Sequence, residues 1–161
     1  MIREIELKDV NSICEIYNYY IENTTITFEE SPVTYDEMKS RIENITSKLP
    51  WVVYEREGEV IGYAYASIWK VRSAYRYSAE LSVYIDVNHK GRGIGSELYK
   101  HLIDELKQRD YHSVIGGIAL PNDASQKLHE KFGFNKVAHY KEIGFKHNKW
   151  VDVGYWQLFL N

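Results

Sequence analysis

Glu80 has more chemistry to offer than any other residue in this chain. It stands in Ala79-Glu-Leu-Ser-Val-Tyr-Ile-Asp86, where Leu81, Val83 and Ile85 alternate with Ser82, Tyr84 and Asp86. That period of two marks a half-buried strand. A carboxylate held among core positions can take a proton from an incoming nucleophile. Taken alone, an acidic residue in such a strand more often lies on its wet face. Just downstream, Gly91-Arg92-Gly93-Ile94-Gly95 supplies residues without a Cβ, whose N–H groups can turn toward a ligand. Ile94, Leu98, Leu102 and Leu106 then recur every fourth residue, with Ile103 beside them, as on the buried face of a helix. The start of a helix behind such a turn has free N–H donors and the positive end of the dipole, so it suits phosphate. Lys90 and Arg92 add charge of the right sign.

The glycine spacing excludes two familiar phosphate binders. Gly91-x-Gly93-x-Gly95 is not the G-x-G-x-x-G of a dinucleotide fold, and no Gly-Lys-Ser/Thr follows to make a Walker loop. Two further polar residues lie beyond the helix. Asn122 opens Asn122-Asp-Ala-Ser-Gln-Lys-Leu-His129, where it suits a helix cap, and His129 by itself has even standing as a surface histidine or a functional one. The remaining histidines (His89, His101, His112, His139 and His147) show no ligand spacing, so no metal is implied. Lys70, Arg72 and Arg76 flank Trp69 and Tyr75 just before Glu80; such charges are usually solvated, but a cationic and aromatic rim beside a base suits an amine that also carries an acid group.

The elements that position these residues are legible in part. Ile2 to Leu7 reads as a first strand, and Asp9 as the cap of a helix whose inner face is Val10, Ile13, Cys14, Tyr17 and Ile21. Asn23 to Phe28 is a β-branched, polar loop. Thr34 with Glu37 forms a capping box ahead of Met38, Ile42 and Ile45. Trp51–Glu55 and Val60–Ile68 read as strands joined at Glu57-Gly58, Ser113–Ala119 as another with Gly116-Gly117 at a bulge or close approach, and Phe134–Ile143 with Trp150–Leu160 as a closing hairpin. The order is that of a mixed α/β sheet in one domain spanning residues 1–161, with the ligand where neighbouring strands diverge.

Composition narrows the function. Hydrophobic residues at 44% and charged residues at 27% belong to a globular chain, and a net charge of −3 gives no field for nucleic acid or an anionic membrane. The single Cys14 excludes an internal disulfide and fits a reducing, cytoplasmic setting. Cys14 lies on an apolar helix face and reads as core rather than nucleophile.

Lys90-x-x-Gly93-x-Gly95 after the Glu80 strand resembles motif A of the GNAT-superfamily N-acetyltransferases, Arg/Gln-x-x-Gly-x-Gly/Ala, with Lys90 keeping the charge but not the fork geometry of arginine. The likeness is closer still. Trp69-Lys-x-Arg-x-Ala-Tyr75, Glu80-x-x-Val-Tyr84, Leu-His129-Glu, Gly-Phe134 and Gly-Phe-Lys-His147-x-x-Trp150-x-Asp-Val-Gly154-Tyr-Trp156-Gln are similar to the phosphinothricin N-acetyltransferase family, over residues 23 to 157. The resemblance implies a GNAT-like fold and a homodimer. It implies transfer of acetyl from acetyl-CoA to the α-amine of a small amino-acid analogue such as phosphinothricin or methionine sulfoximine. It implies Glu80 as base and His129 as second catalytic group. Val83, Tyr84, Ile85, Lys90, Gly91, Arg92, Gly93, Ile94, Gly95, Ser96 and Asn122 would then hold the cofactor. Thr25, Phe28, Trp69, Lys70, Arg72, Tyr75, Leu81 and Ser82 would face the amine. A peptide or lysine acetyltransferase and a non-catalytic acetyl-CoA-binding module are the alternatives.

Overall fold

The structure, a computed structural model, describes residues 1–161. Its elements are β1 (Ile2–Glu4), α1 (Val10–Asn23), α2 (Tyr35–Thr46), β2 (Trp51–Arg56), β3 (Glu59–Ile68), β4 (Ser78–Ile85), α3 (Ile94–Gln108), β5 (Ser113–Leu120), α4 (Asp123–Lys131), β6 (Asn135–Lys146) and β7 (Lys149–Phe159). The strands form one seven-stranded sheet in the order β1-β2-β3-β4-β5-β7-β6. Every neighbouring pair is antiparallel except β4 and β5. Those two are parallel because α3 carries the chain back between them, the connection that parallel strands require. The mixed α/β sheet anticipated from the element order is what forms.

Each face of the sheet has its own core. Leu98, Leu102 and Leu106 of α3 pack with Leu81, Val114 and Trp156 on one face. Val10, Ile13, Tyr17 and Ile21 of α1, with Met38 and Ile42 of α2, pack against Trp51, Val53 and Tyr63 on the other. The four-residue spacing of α3 is therefore a buried stripe, and the apolar face of α1 is the one read from its sequence.

Three local details differ from the sequence expectation. The first strand stops at Glu4, and Leu7–Asp9 form a 3-10 turn. Asp9 does not cap α1; its carboxylate accepts two bonds from the Arg3 guanidinium (2.8 and 2.9 Å) and one from the Glu6 N–H. A bidentate arginine is a stronger partner than a helix end, and it captures the carboxylate. Thr34 caps α2 by accepting from the Glu37 N–H, but the Glu37 side chain accepts from Arg41 instead of closing the box.

The functionally decisive feature is where β4 and β5 part. They pair only at Ser78–Ser113, Ala79–Val114 and Glu80–Ile115. Beyond that point Leu81–Ile85 remain laddered to β3, and Gly116–Leu120 to β7. The gap between them opens at Glu80.

Candidate active site

A cavity of about 400 Å³ occupies this gap, and Glu80, Ser82, Tyr84, Tyr99 and His129 are among its lining residues. Alternation along β4 puts Glu80 on the same face as Tyr84, which packs toward α1. Tyr99 belongs to the opposite, α3-side core. Residues from the two faces share a cavity only because the sheet is split between them.

Glu80 is fixed by ladder positions on both sides, opposite Ser67 on β3 and Ile115 on β5. Burial raises its pKa above the ordinary carboxylate value, and the positive charge of Lys70 opposes the shift. A carboxylate made more basic in this way is a better proton acceptor near neutral pH.

His129 is not a surface residue; it is 3% exposed. Its Nδ1 lies 2.7 Å from the Ser125 carbonyl oxygen, which can only accept, so Nδ1 carries the proton. Burial lowers the pKa of the ring, which leaves it neutral, and Nε2 then accepts from the Tyr99 hydroxyl at 2.8 Å. The Tyr99 hydroxyl is in turn pushed to high pKa by burial. The room for this imidazole comes from β5, because a Cβ on Gly116 would lie 2.1 Å from Nε2. That is the close approach signalled by the paired glycines.

A second cavity of about 450 Å³ adjoins the first and shares Ile26, Val83, Tyr84, Asn122 and Ser125 with it. Its wall includes Ile85, Lys90, Gly91, Gly93, Gly95 and Ser96. Gly93 has φ of +80° and precedes α3 with no side chain capping the helix. This conformation suits glycine and leaves the first N–H groups of α3 available to an anion. Asn122 both caps α4, accepting from the Ser125 N–H, and lines the two cavities. Lys127 and Lys131 of α4 add positive charge to the wall, Lys131 donating to the Ser96 hydroxyl at 3.2 Å.

Not every residue anticipated from sequence lies here. Ile94 is buried in the α3 core and Arg92 is exposed; neither lines the second cavity. Leu81 and Phe28 line the first cavity with Ser82, whereas Thr25 does not; Ile26 and Thr27 do. Trp69, Lys70, Arg72 and Tyr75 lie outside its lining, and no lysine or arginine contributes to it. The β3–β4 connection instead turns outward through a 3-10 turn at Ser73–Tyr75. It reaches the site through the edge of Trp69 against Tyr155 (ring centroids 5.6 Å) and through the field of Lys70 at Glu80. Sequence reasoning missed Tyr99, Tyr140, Ile143 and Tyr155 on the first wall, and Lys127 and Lys131 on the second. Only the last two left a signal, an i, i+4 pair of cations following Asn122.

The GNAT acetyltransferase domain family matches residues 2–154. The chain belongs to that family. This acetyltransferase is 40% identical over 156 residues to a phosphinothricin N-acetyltransferase of Streptomyces viridochromogenes, covering 97% of this chain and 85% of that one. It is 34% identical over 161 residues to an L-methionine sulfoximine/L-methionine sulfone acetyltransferase of Salmonella typhimurium, covering 99% and 94%. Among solved structures, a phosphinothricin acetyltransferase from Sinorhizobium meliloti in complex with acetyl-CoA superposes with a TM-score of 0.97 at 36% identity, covering 100% of this chain and 88% of that one. An N-acetyltransferase from Staphylococcus aureus gives 0.98 at 36%, covering 100% and 98%.

Proposed function

We propose that this acetyltransferase moves the acetyl group of acetyl-CoA onto the α-amine of a small amino-acid analogue of the phosphinothricin or methionine sulfoximine type, with Glu80 as general base. The observation that carries this is the position of a desolvated carboxylate at the point where the sheet splits, lining a cavity of small-molecule size. The second cavity fits the cofactor, with glycine N–H groups, the free start of α3, and Lys90, Lys127 and Lys131 for phosphate, and Val83 to Ile85 along the pantetheine path. Acetyl-CoA supplies the acetyl group as an activated thioester, so no enzyme nucleophile is required.

An α-amine is mostly protonated at neutral pH. Glu80 removes one ammonium proton, the nitrogen lone pair forms the amide bond as the C–S bond breaks, the nitrogen gives up its second proton, and the sulfur leaves as a thiolate. His129, neutral with a lone pair at Nε2, takes that second nitrogen proton and passes it to the thiolate, so the Tyr99–His129 pair ends as it began. The proton held by Glu80 passes to solvent. Lys70 and Arg72, outside the wall, provide a cationic rim for the acid group of the substrate. The enzyme works in the cytoplasm as a homodimer; the exposed apolar side chains of the edge hairpin, Phe145 and Trp150 among them, favour pairing.

The test is Glu80→Gln assayed for CoA release with phosphinothricin and with peptides. We expect kcat to fall by about 10²–10⁴-fold with acetyl-CoA affinity nearly intact, and partial rescue as pH rises. Wild-type kcat across pH would remove Glu80 from the base role. Activity on peptides alone would replace the small-molecule acceptor.

A further inference from the structure

One part of the lining of the first cavity is the loop after α1, at Ile26, Thr27 and Phe28; another is Tyr140 and Ile143 of β6. These parts come from opposite ends of the chain, and a single buried charge joins them. Lys146, the last residue of β6, is 2% exposed, and its Nζ donates to the Thr27 carbonyl at 2.7 Å. The same loop lies flat on β6 through Phe28, because a Cβ on Gly144 would sit 2.3 Å from the Phe28 ring. On its far side Thr27 is held by the Tyr17 hydroxyl at 2.8 Å. Two residues on, Glu29 accepts from Tyr17 and from both arms of the Arg41 guanidinium (2.9 and 2.7 Å). Burying an ammonium is costly, and an aliphatic side chain would fill the end of a strand without that cost. The charge is therefore retained for what it holds, and Glu29 and Glu30 supply the opposing field.

We propose that Lys146 is a positioning residue for the amine acceptor: it fixes the main chain at Thr27, so that Ile26, Thr27 and Phe28 form a wall at set distance from Ile143 and Tyr140. This rests on the assignment of that cavity to the acceptor. The phosphate end of the second cavity is built from the Lys90–Ser96 turn and α4, and of the three loop residues only Ile26 also lines that cavity, so Lys146 acts on acceptor binding far more than on cofactor binding.

Lys146→Met keeps the length of the side chain and its apolar stem while removing the charged donor. With phosphinothricin as acceptor, KM rises about tenfold or more, as expected for losing a hydrogen bond to a charged group. The acetyl-CoA Kd by calorimetry stays within about twofold, and Lys146→Arg, which retains a charged donor, raises KM less than Lys146→Met. Tyr17→Phe loosens Thr27 from the other side, so its effect on KM is non-additive with Lys146→Met. A lower Tm with unchanged KM, equal losses in acetyl-CoA and acceptor binding, or equal KM rises for the arginine and methionine variants would overturn the proposal. If Lys146→Met does not fold, Tyr17→Phe decides: a raised KM at unchanged acetyl-CoA affinity supports the role of the Thr27 anchors, and an unchanged KM overturns it. Phe28→Ala separates the two levels. If it leaves KM unmoved, the cavity is not the acceptor site; if it raises KM while Lys146→Met does not, the cavity assignment stands and Lys146 is structural.

Discussion

Gly116→Ala adds one methyl group, and the structure dictates where it goes. Its carbon would lie 2.1 Å from Nε2 and 2.5 Å from Cδ2 of His129, so the ring must retreat by about 1.3 Å to reach an ordinary 3.4 Å contact. The imidazole has little freedom to do so. It is tied to Ser125 at 2.7 Å and Tyr99 at 2.8 Å, and edged by Phe134 with ring centroids 5.0 Å apart. A shift of that size parts the Tyr99–His129 bond. Overpacking costs about 1–3 kcal/mol and a lost buried hydrogen bond about 1 kcal/mol more. The sum, about 2–4 kcal/mol, lowers Tm by roughly 5–15 °C in a domain of this size. Thermal melting measures that loss, and steady-state kinetics should show kcat falling more than acetyl-CoA affinity. Gly117→Ala is the control: its Cβ would lie 3.0 Å from Tyr155, a half-exposed ring able to yield by a few tenths of an ångström, so the cost is much smaller. In a His129→Ala background the methyl has room, so the glycine change should there cost much less Tm than it does in the wild type. A Gly116→Ala protein with unchanged Tm and kcat within twofold of wild type would refute the idea that β5 was shaped around this histidine.

Lys70→Met removes the one charge that opposes the upward shift at Glu80, so the acid limb of kcat/KM against pH moves to higher pH; an unmoved or lowered limb means that its field does not reach the carboxylate. Stability has its own signature at this residue. A glutamate whose folded pKa is raised contributes stability below its unfolded pKa and loses that contribution as pH rises through the folded value. Glu80→Gln should therefore melt higher than wild type at neutral pH, with the difference vanishing in acid; a constant difference across pH would contradict the burial of the charge. Gly93→Val should weaken CoA binding, measured by calorimetry, through its backbone rather than through bulk: nothing lies within 4 Å of an added Cβ, but φ of +80° strains a β-branched residue by about 1–3 kcal/mol. Undiminished CoA affinity would exclude that loop from the phosphate site.

What could be read from sequence was what repeats locally. The four-residue stripe of α3, the alternation in β4 and the Glu57-Gly58 turn depend on neighbours within a few residues, and each forms as expected. Glu57 and Gly58 both take positive φ, the geometry that a tight hairpin requires. The misplaced residues answer to distant partners. Asp9 suited a cap until Arg3 claimed it, and Arg3 is itself shared with Glu55 on β2. Lys146 sits beside the polar turn His147-Asn148, where a lysine ordinarily belongs in water, and is buried by a loop 119 positions earlier in the chain. Tyr99 lies beside the apolar stripe of α3 and looks like any core aromatic; only its hydroxyl, aimed at His129, gives it a place in the site. The cationic loop from Lys70 to Arg76 was legible as a charged rim, but not its outward turn, which follows from how β3 and β4 end.

The split between β4 and β5 explains why the acidic residue falls where it does. A sheet built for stability alone would continue pairing past Glu80 and Ile115, since groups left without a ladder partner forfeit hydrogen bonds. Ending the pairing there opens a cavity between two strands that are each still held by another neighbour, β3 on one side and β7 on the other. A carboxylate placed at the last shared rung therefore has a rigid backbone and a desolvated head. One residue earlier, it would lie within the closed ladder; several residues later, it would lack the support of β5. Holding such a group on strands rather than on a loop keeps its geometry fixed. Rigidity at Glu80 thus comes from the sheet, and residues 26–28 of the loop after α1, with Tyr140 and Ile143 of β6, add to the lining around it.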